Sequence, residues 1–231
     1  MQISGLQKTT LVDYPGHVAT TIFTGGCNYR CPYCQNSDLV LHPQNIKPYT
    51  EDQIFEHLNK RKNVLTGVCI SGGEPTLQPD LKSFIKKVKD MGLCVKLDTN
   101  GSNPSLLKEL VSEGLLDYVA MDIKHSRAKY ASIACCPDFS LDAVAESVDF
   151  LKNGYVDYEF RTTLVKELHR ESDITAIGVW LMGAKAYYLQ PYRDSDSVIS
   201  PGFHAHSGDE LDTFVKILSA FLPMVKVRGT N

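Results

Sequence analysis

Short β-branched runs alternate with amphipathic stretches along this chain, and that alternation constrains the fold more than any other feature. His17–Thr24, Gly67–Ser71, Leu93–Leu97, Tyr118–Ile123, Tyr158–Val165 and Ala186–Gln190 read as strands. Each is short and apolar, as strands buried on both faces of a parallel sheet are. Between them, Thr50 is placed to cap a helix running to about Arg61, and Pro79-Asp80, Pro104-Ser105 and Ser140 open three more. A last helix is predicted over about Asp209–Phe221, followed by a short strand at Val225–Arg228. Several strand starts recur about 25 to 30 residues apart, the length of a βα unit. Such alternation predicts parallel strands with right-handed crossovers. About six units fall short of the eight in a closed barrel. The predicted fold is therefore α/β, a partial (β/α)6 barrel, with a flat doubly wound sheet as the alternative. One domain is expected over 1–231: an N-terminal extension about 1–16, a core about 17–195, and the C-terminal helix and strand about 208–228. Ligands are expected at the carboxyl ends of the strands.

Composition narrows the class of function. Hydrophobic residues make up 43% and charged residues 22%, enough to bury a full core. Lys+Arg 24 against Asp+Glu 27 gives a net charge of −3. That balance argues against a mainly electrostatic binder of nucleic acid or of anionic membranes. No apolar run approaches the roughly 18 residues that span a bilayer. The opening MQISGLQKTTLVDYPG lacks the apolar centre of a signal peptide, so a cytoplasmic location is expected. Seven cysteines, an odd number, argue against a complete disulfide framework and for metal binding or chemistry.

The chemistry concentrates after the first predicted strand, in GGCNYRCPYCQN. Cys27, Cys31 and Cys34 are spaced C-x-x-x-C-x-x-C. Three thiolates in one short loop can wrap one soft metal centre, either zinc or an iron–sulfur cluster. Clusters usually take four cysteines, so three imply an iron left open to a ligand. Cys69 and Cys94 fall inside strands as small buried hydrophobes, and Cys135-Cys136 are awkward as an added chelating pair. The alternative is a zinc site completed by a distant ligand such as His42.

The other strand ends carry polar groups to the same rim. Ser71-Gly72-Gly73-Glu74-Pro75 lets the backbone approach a ligand closely, with a carboxylate beside it. Leu97-Asp98-Thr99-Asn100-Gly101 and Met121-Asp122-Ile123-Lys124 follow. Asp122 and Lys124, two apart on a strand, share a face and can address one site. Glu159, Arg161 and Thr163 share a face on the fifth strand, and Gln190-Pro191-Tyr192-Arg193 ends the sixth. His204 and His206 read as part of a solvated loop.

Together these segments resemble the radical S-adenosylmethionine superfamily, whose cluster signature matches Cys27, Cys31 and Cys34. The resemblance implies a partial barrel of the radical SAM type, one 4Fe-4S cluster on those thiolates and S-adenosylmethionine on the open iron. It implies cofactor contacts from Tyr33, Cys34 and Gln35, from Gly72, Gly73 and Glu74, and from Asp98, Asp122 and Lys124. Arg193 stands where some relatives place a ribose-contacting histidine, so that contact is expected either to be replaced by Arg193 or Gln190 or to be absent. By residue match, Asp98, Thr99 and Asp122 are also expected to frame a monovalent cation. Oxygen ligands suit such a hard ion.

LDTNG, MDIK and Thr10-Leu11-Val12-Asp13-Tyr14-Pro15-Gly16 narrow the resemblance to activating enzymes of glycyl radical enzymes, and most nearly to those of anaerobic ribonucleoside-triphosphate reductase. That likeness implies hydrogen abstraction from a glycine of a partner protein, with a flavodoxin- or ferredoxin-type electron donor. No residue beyond the cluster and cofactor is expected to act in the chemistry. The alternatives are a radical enzyme acting on a small deazapurine-type molecule and a non-catalytic zinc- or cluster-binding module.

Overall fold

The structure, a computed structural model, describes residues 1–229. In chain order its elements are β1 (Ile3–Thr10), β2 (Ala19–Thr24), α1 (Ser37–Leu41), α2 (Glu51–Lys60), β3 (Gly67–Gly72), α3 (Leu81–Asp90), β4 (Cys94–Thr99), α4 (Pro104–Ser112), β5 (Tyr118–Asp122), α5 (Tyr130–Ala134), α6 (Leu141–Lys152), β6 (Asp157–Leu164), α7 (Glu171–Trp180), β7 (Tyr187–Pro191), α8 (Gly208–Ser219) and β8 (Val225–Val227). The helix starts follow capping chemistry. Thr50 and Ser207 close capping boxes with Gln53 and Glu210, and Asn103 and Ser140 each accept a backbone N–H of the first turn.

The sheet order is β1-β2-β3-β4-β5-β6-β7-β8. From β2 to β8 every neighbour pairs in parallel. A strictly sequential order has no point where the winding reverses, so right-handed crossovers put the helices on one face. This excludes the doubly wound alternative and gives an open, partial barrel. The six predicted strands are β2 to β7, and the predicted C-terminal strand is β8. Two elements differ from the sequence reading. The N-terminal extension contains β1, antiparallel to β2, and the stretch between β6 and β7 contains α7.

The period of two along each strand divides the barrel. The outward residues Val68, Ile70, Val95, Leu97, Val119, Met121 and Phe160 are all fully buried beneath the helices. Cross-strand register sets Cys69 beside Lys96, Asp98 beside Ala120 and Asp122 beside Arg161 on the inner face. The inner face is therefore polar. Its amino-terminal end is closed by Tyr14, whose ring packs against Gly67 so tightly that a Cβ there would approach it to 2.8 Å. Nearby, Arg228 follows β8 and donates both Nη groups to the buried Glu159, which also accepts from Tyr118 Oη at 2.9 Å. Ligand access is left to the carboxyl rim.

Candidate active site at the carboxyl rim

The loop after β2 is held by backbone-to-backbone packing. Gly73 N–H donates to Thr24 O at 2.9 Å, and Glu74 N–H to Gly26 O at 2.8 Å. A Cβ on Gly73 would stand 1.9 Å from Gly26 O, and one on Gly72, whose φ is +109°, would stand 2.5 Å from Thr24 N. Only glycine permits both approaches. The two glycines thus seat the cysteine loop as well as lining the cavity beside it.

That cavity, of about 450 Å³, is lined by Cys27, Cys31 and Cys34 on one side. All three are free thiols. Asn100 steadies the loop by donating to Asn28 Oδ1 at 2.8 Å and lying 3.9 Å from Cys27 Sγ, while Tyr29 N–H reaches that sulfur at 3.4 Å. Arg30 N–H donates to Ala134 O at 2.8 Å, and the 199–200 segment ties down Cys34 O and Pro32 O. Burial pushes the Cys27 thiol up to about 11 and Cys31 to about 12, so metal loading must displace protons. Among the described residues no group of three or more His, Cys, Asp or Glu side chains could hold a single metal ion. A zinc ion draws its ligands to one point, whereas a cubane offers a separate iron to each thiolate. Cys27, Cys31 and Cys34 supply three thiols to one cavity, the number that leaves one iron of a cubane open. His42, offered as a fourth zinc ligand, is exposed and absent from this lining.

The inner faces of β4, β5 and β6 line the same cavity. Arg161 Nε donates to Asp122 Oδ1 at 2.9 Å and its Nη1 to Asp98 Oδ2 at 3.2 Å. Lys124 Nζ donates to Asp122 Oδ2 at 3.0 Å. Burial raises the Asp122 carboxyl, but Arg161 and Lys124 outweigh it and bring the group to about 2. Asp98, Asp122, Lys124 and Arg161 all line the cavity, as do Thr163 and Gln190. Tyr33 lies in the same wall, 4% exposed, with its hydroxyl 3.4 Å from Lys124 O. Gln35 lines the rim, and its side-chain amide donates to Arg193 O.

Three expected groups make contacts of their own within the protein. Glu74 is fully buried and lies outside the cavity lining. Its Oε1 accepts from Thr76 N at 3.0 Å, Thr76 Oγ1 at 2.6 Å and Thr99 Oγ1 at 2.8 Å, and its Oε2 from Asn100 N. It is a clamp between strand ends. Arg193 turns away from the cavity, and its guanidinium donates to Gly229 O, leaving Gln190 on the lining. Asp98, Thr99 and Asp122, the expected cation frame, are engaged by protein groups. Arg161 sits between the two carboxylates and Thr99 Oγ1 is spent on Glu74. The sequence reading missed Asp13, which lines the cavity and accepts from Thr21 Oγ1 at 2.6 Å. It also missed Asn28 and Lys96. A larger groove of about 980 Å³, between α4 and α6, holds neither a cysteine nor a strand end.

An open parallel barrel carrying three thiols of one loop at its carboxyl rim defines a cluster-bearing α/β enzyme. The Radical SAM superfamily model matches residues 21–174, and the chain belongs to that superfamily. The family's cofactors are a 4Fe-4S cluster and S-adenosylmethionine. A Methanocaldococcus jannaschii protein provisionally named a glycyl-radical enzyme activating enzyme is 33% identical over 235 residues, covering 99% of this chain and 96% of that one. The pyruvate formate-lyase-activating enzyme of Clostridium pasteurianum is 33% identical over 129 residues, 54% of this chain and 52% of that one. In fold, the chain superposes on Streptococcus suis SuiB with a TM-score of 0.72 at 11% identity, covering 91% of this chain and 49% of that one. Among the described residues no helix is long and apolar enough to cross a membrane.

Proposed function

We propose that this protein activates a glycyl radical enzyme, with anaerobic ribonucleoside-triphosphate reductase as the partner and a flavodoxin- or ferredoxin-type protein as electron donor. The observation that carries the reading is the 33% identity to the M. jannaschii protein along nearly the whole of both chains. The TLVDYPG segment adds to it, since Asp13 of that segment reaches the cavity wall. The partner assignment rests on that segment and the cysteine loop resembling the reductase-activating group.

With its cofactors bound, the site supplies one-electron cleavage of the sulfonium and a carbon radical able to take hydrogen from a glycine Cα. The chain's own residues bind and orient. Cys27, Cys31 and Cys34 hold the cluster. Gly72 and Gly73 give the methionyl group a wall without side chains, Lys124 offers an ammonium to a carboxylate, and Asp122 suits hydroxyl or ammonium donors. Tyr33 and Gln35 flank the nucleoside end. A partner's glycine would enter on an extended loop, since glycine passes where a side chain would not.

The test is anaerobic incubation with the reductase, S-adenosylmethionine and a low-potential reductant. A persistent doublet in the electron paramagnetic resonance spectrum of the reductase, collapsing when glycine is α-deuterated, is expected. Cofactor cleavage with no partner radical would overturn the partner assignment.

A further inference from the structure

Lys96 is a lysine buried in the wall of a barrel, and nothing in the chemistry above uses it. It is 1% exposed and lies on the inner face of β4, two residues before Asp98. One pleat repeat places it roughly 7 Å deeper than the rim. Its ammonium donates to Asp98 Oδ1 and lies 3.7 Å from Cys69 Sγ. Burial pushes the Cys69 thiol up, so that sulfur stays neutral and offers no charge. The other buried acid of the inner face, Glu159, is paired with Arg228, and Asp13 is bonded to Thr21. Among the described residues Asp98 is therefore the carboxylate that Lys96 pairs with. Taking an ammonium out of water is expensive, and a methionine or leucine would fill the same space without that penalty. Packing alone does not account for a lysine here.

The rest of the wall does. Asp98 Oδ2 accepts from Ser71 Oγ at 3.0 Å and from Arg161 Nη1 at 3.2 Å. Arg161 Nε continues to Asp122, and Asp122 to Lys124. Four side chains on three adjacent strands and one just beyond β5 alternate in charge, from Lys96 deepest through Asp98, Arg161 and Asp122 to Lys124. Arginine and a carboxylate prefer a two-pronged pairing. Lys96 holds one oxygen of Asp98, which limits Arg161 to a single prong and leaves its Nε for Asp122. A compact ammonium does this, whereas a guanidinium would compete for both oxygens.

We propose that Lys96 is a positioning residue for the cofactor wall. Through Asp98 and Arg161 it fixes Asp122, and with it the direction in which Lys124 presents its ammonium. Without Lys96, Asp98 takes the whole guanidinium, Asp122 is left to Lys124 alone, and Lys124 is drawn off the cavity. The inference rests on Asp122 and Lys124 serving S-adenosylmethionine.

The test measures S-adenosylmethionine affinity by anaerobic calorimetry on the reconstituted protein, and the spectrum of the reduced cluster before and after the cofactor is added. Lys96→Met should retain its iron and an unchanged cofactor-free spectrum. It should bind S-adenosylmethionine roughly tenfold more weakly, about one charge-assisted hydrogen bond. Lys96→Ala should recover affinity with propylammonium but not with tetramethylammonium, which cannot donate a hydrogen bond. Affinity within twofold of the parent in Lys96→Met would overturn the proposal. So would a loss that propylammonium leaves unchanged, since that marks general damage. Lys124→Ala separates the two claims: unchanged affinity there contradicts the site assignment itself, independently of Lys96.

Discussion

Asn100 N–H donates to Glu74 Oε2 at 2.6 Å, joining the carboxyl ends of β3 and β4 beneath the cysteine loop. Asn100 in turn holds Asn28 and approaches Cys27, so this single bond links the buried clamp to the cysteine loop. Four donors point at the Glu74 carboxylate. Burial raises its carboxyl and those donors oppose the rise.

Glu74→Gln keeps one acceptor but turns an NH2 group toward donors. It should lower stability by about 1–3 kcal/mol, the range for breaking buried hydrogen bonds to a charged group. Denaturant unfolding reads the loss. Iron retention should fall with it, because the cysteine loop rests on the same clamp.

The barrel floor gives a second prediction. Glu159 is fully buried, and Arg228 reaches both its oxygens from beside the last strand, with Tyr118 Oη as the third donor. Arg228→Ala strands that carboxylate with Tyr118 alone. It should cost about 3 kcal/mol, at the lower end for breaking a buried pair because the guanidinium is 29% exposed. Arg228→Ala combined with Glu159→Gln should recover much of that loss in thermal unfolding.

How much of this was legible depends on whether a residue's partner is near in sequence. Cys27, Cys31 and Cys34 are a local pattern, and Asp122 with Lys124 are close in sequence, although β5 ends at Asp122 and the pairing is not one of strand pleat. Gly72-Gly73 was legible as a close approach, though not that the approach is to Gly26. Lys96 was hidden inside a run read as a buried strand, since its partnership with Asp98 and Arg161 depends on which face of β4 turns inward. Glu74 reads as a rim carboxylate until Thr99 and Asn100 are brought over it. β1 escaped because Gly5 and three exposed polar residues interrupt its apolar pattern at the sheet edge. α7 escaped because Ile174, Ile177, Val179 and Trp180 surround it without a single stripe.

Acid sensitivity should originate at the His125–His169 stack, whose ring centroids are 4.8 Å apart. His169 is fully buried, accepts Val165 N–H at Nδ1 and bonds Lys124 O through Nε2. Burial lowers it from 6.5 to about 4, and lowers His125 as well. Above pH 6.5 both folded and unfolded His169 are neutral and pH has no effect. Below it the unfolded chain takes the proton first, so stability falls until the folded pKa is reached. The total from His169 is about 3 kcal/mol between pH 6.5 and 4. Unfolding free energies measured over that window should show this slope, and His169→Gln should flatten it.

Metal content separates the cysteines by role. Anaerobically reconstituted protein should hold about four irons. Cys27→Ser, Cys31→Ser or Cys34→Ser should each lose the cluster. Cys135→Ser, at an exposed thiol outside the cavity, should keep it. Stoichiometric zinc in place of iron would overturn the ligand assignment.

The central claim is that hydrogen leaves a glycine of a partner protein and is carried away by the cofactor. Its most direct test is isotope transfer. The partner reductase is labelled with α-deuterated glycine and mixed anaerobically with this protein, S-adenosylmethionine and a low-potential reductant. The 5′-deoxyadenosine formed is then weighed by mass spectrometry. One deuterium in that product, appearing in step with the partner's radical, is the predicted result. Unlabelled 5′-deoxyadenosine, formed at the same rate with and without the partner, would contradict the account.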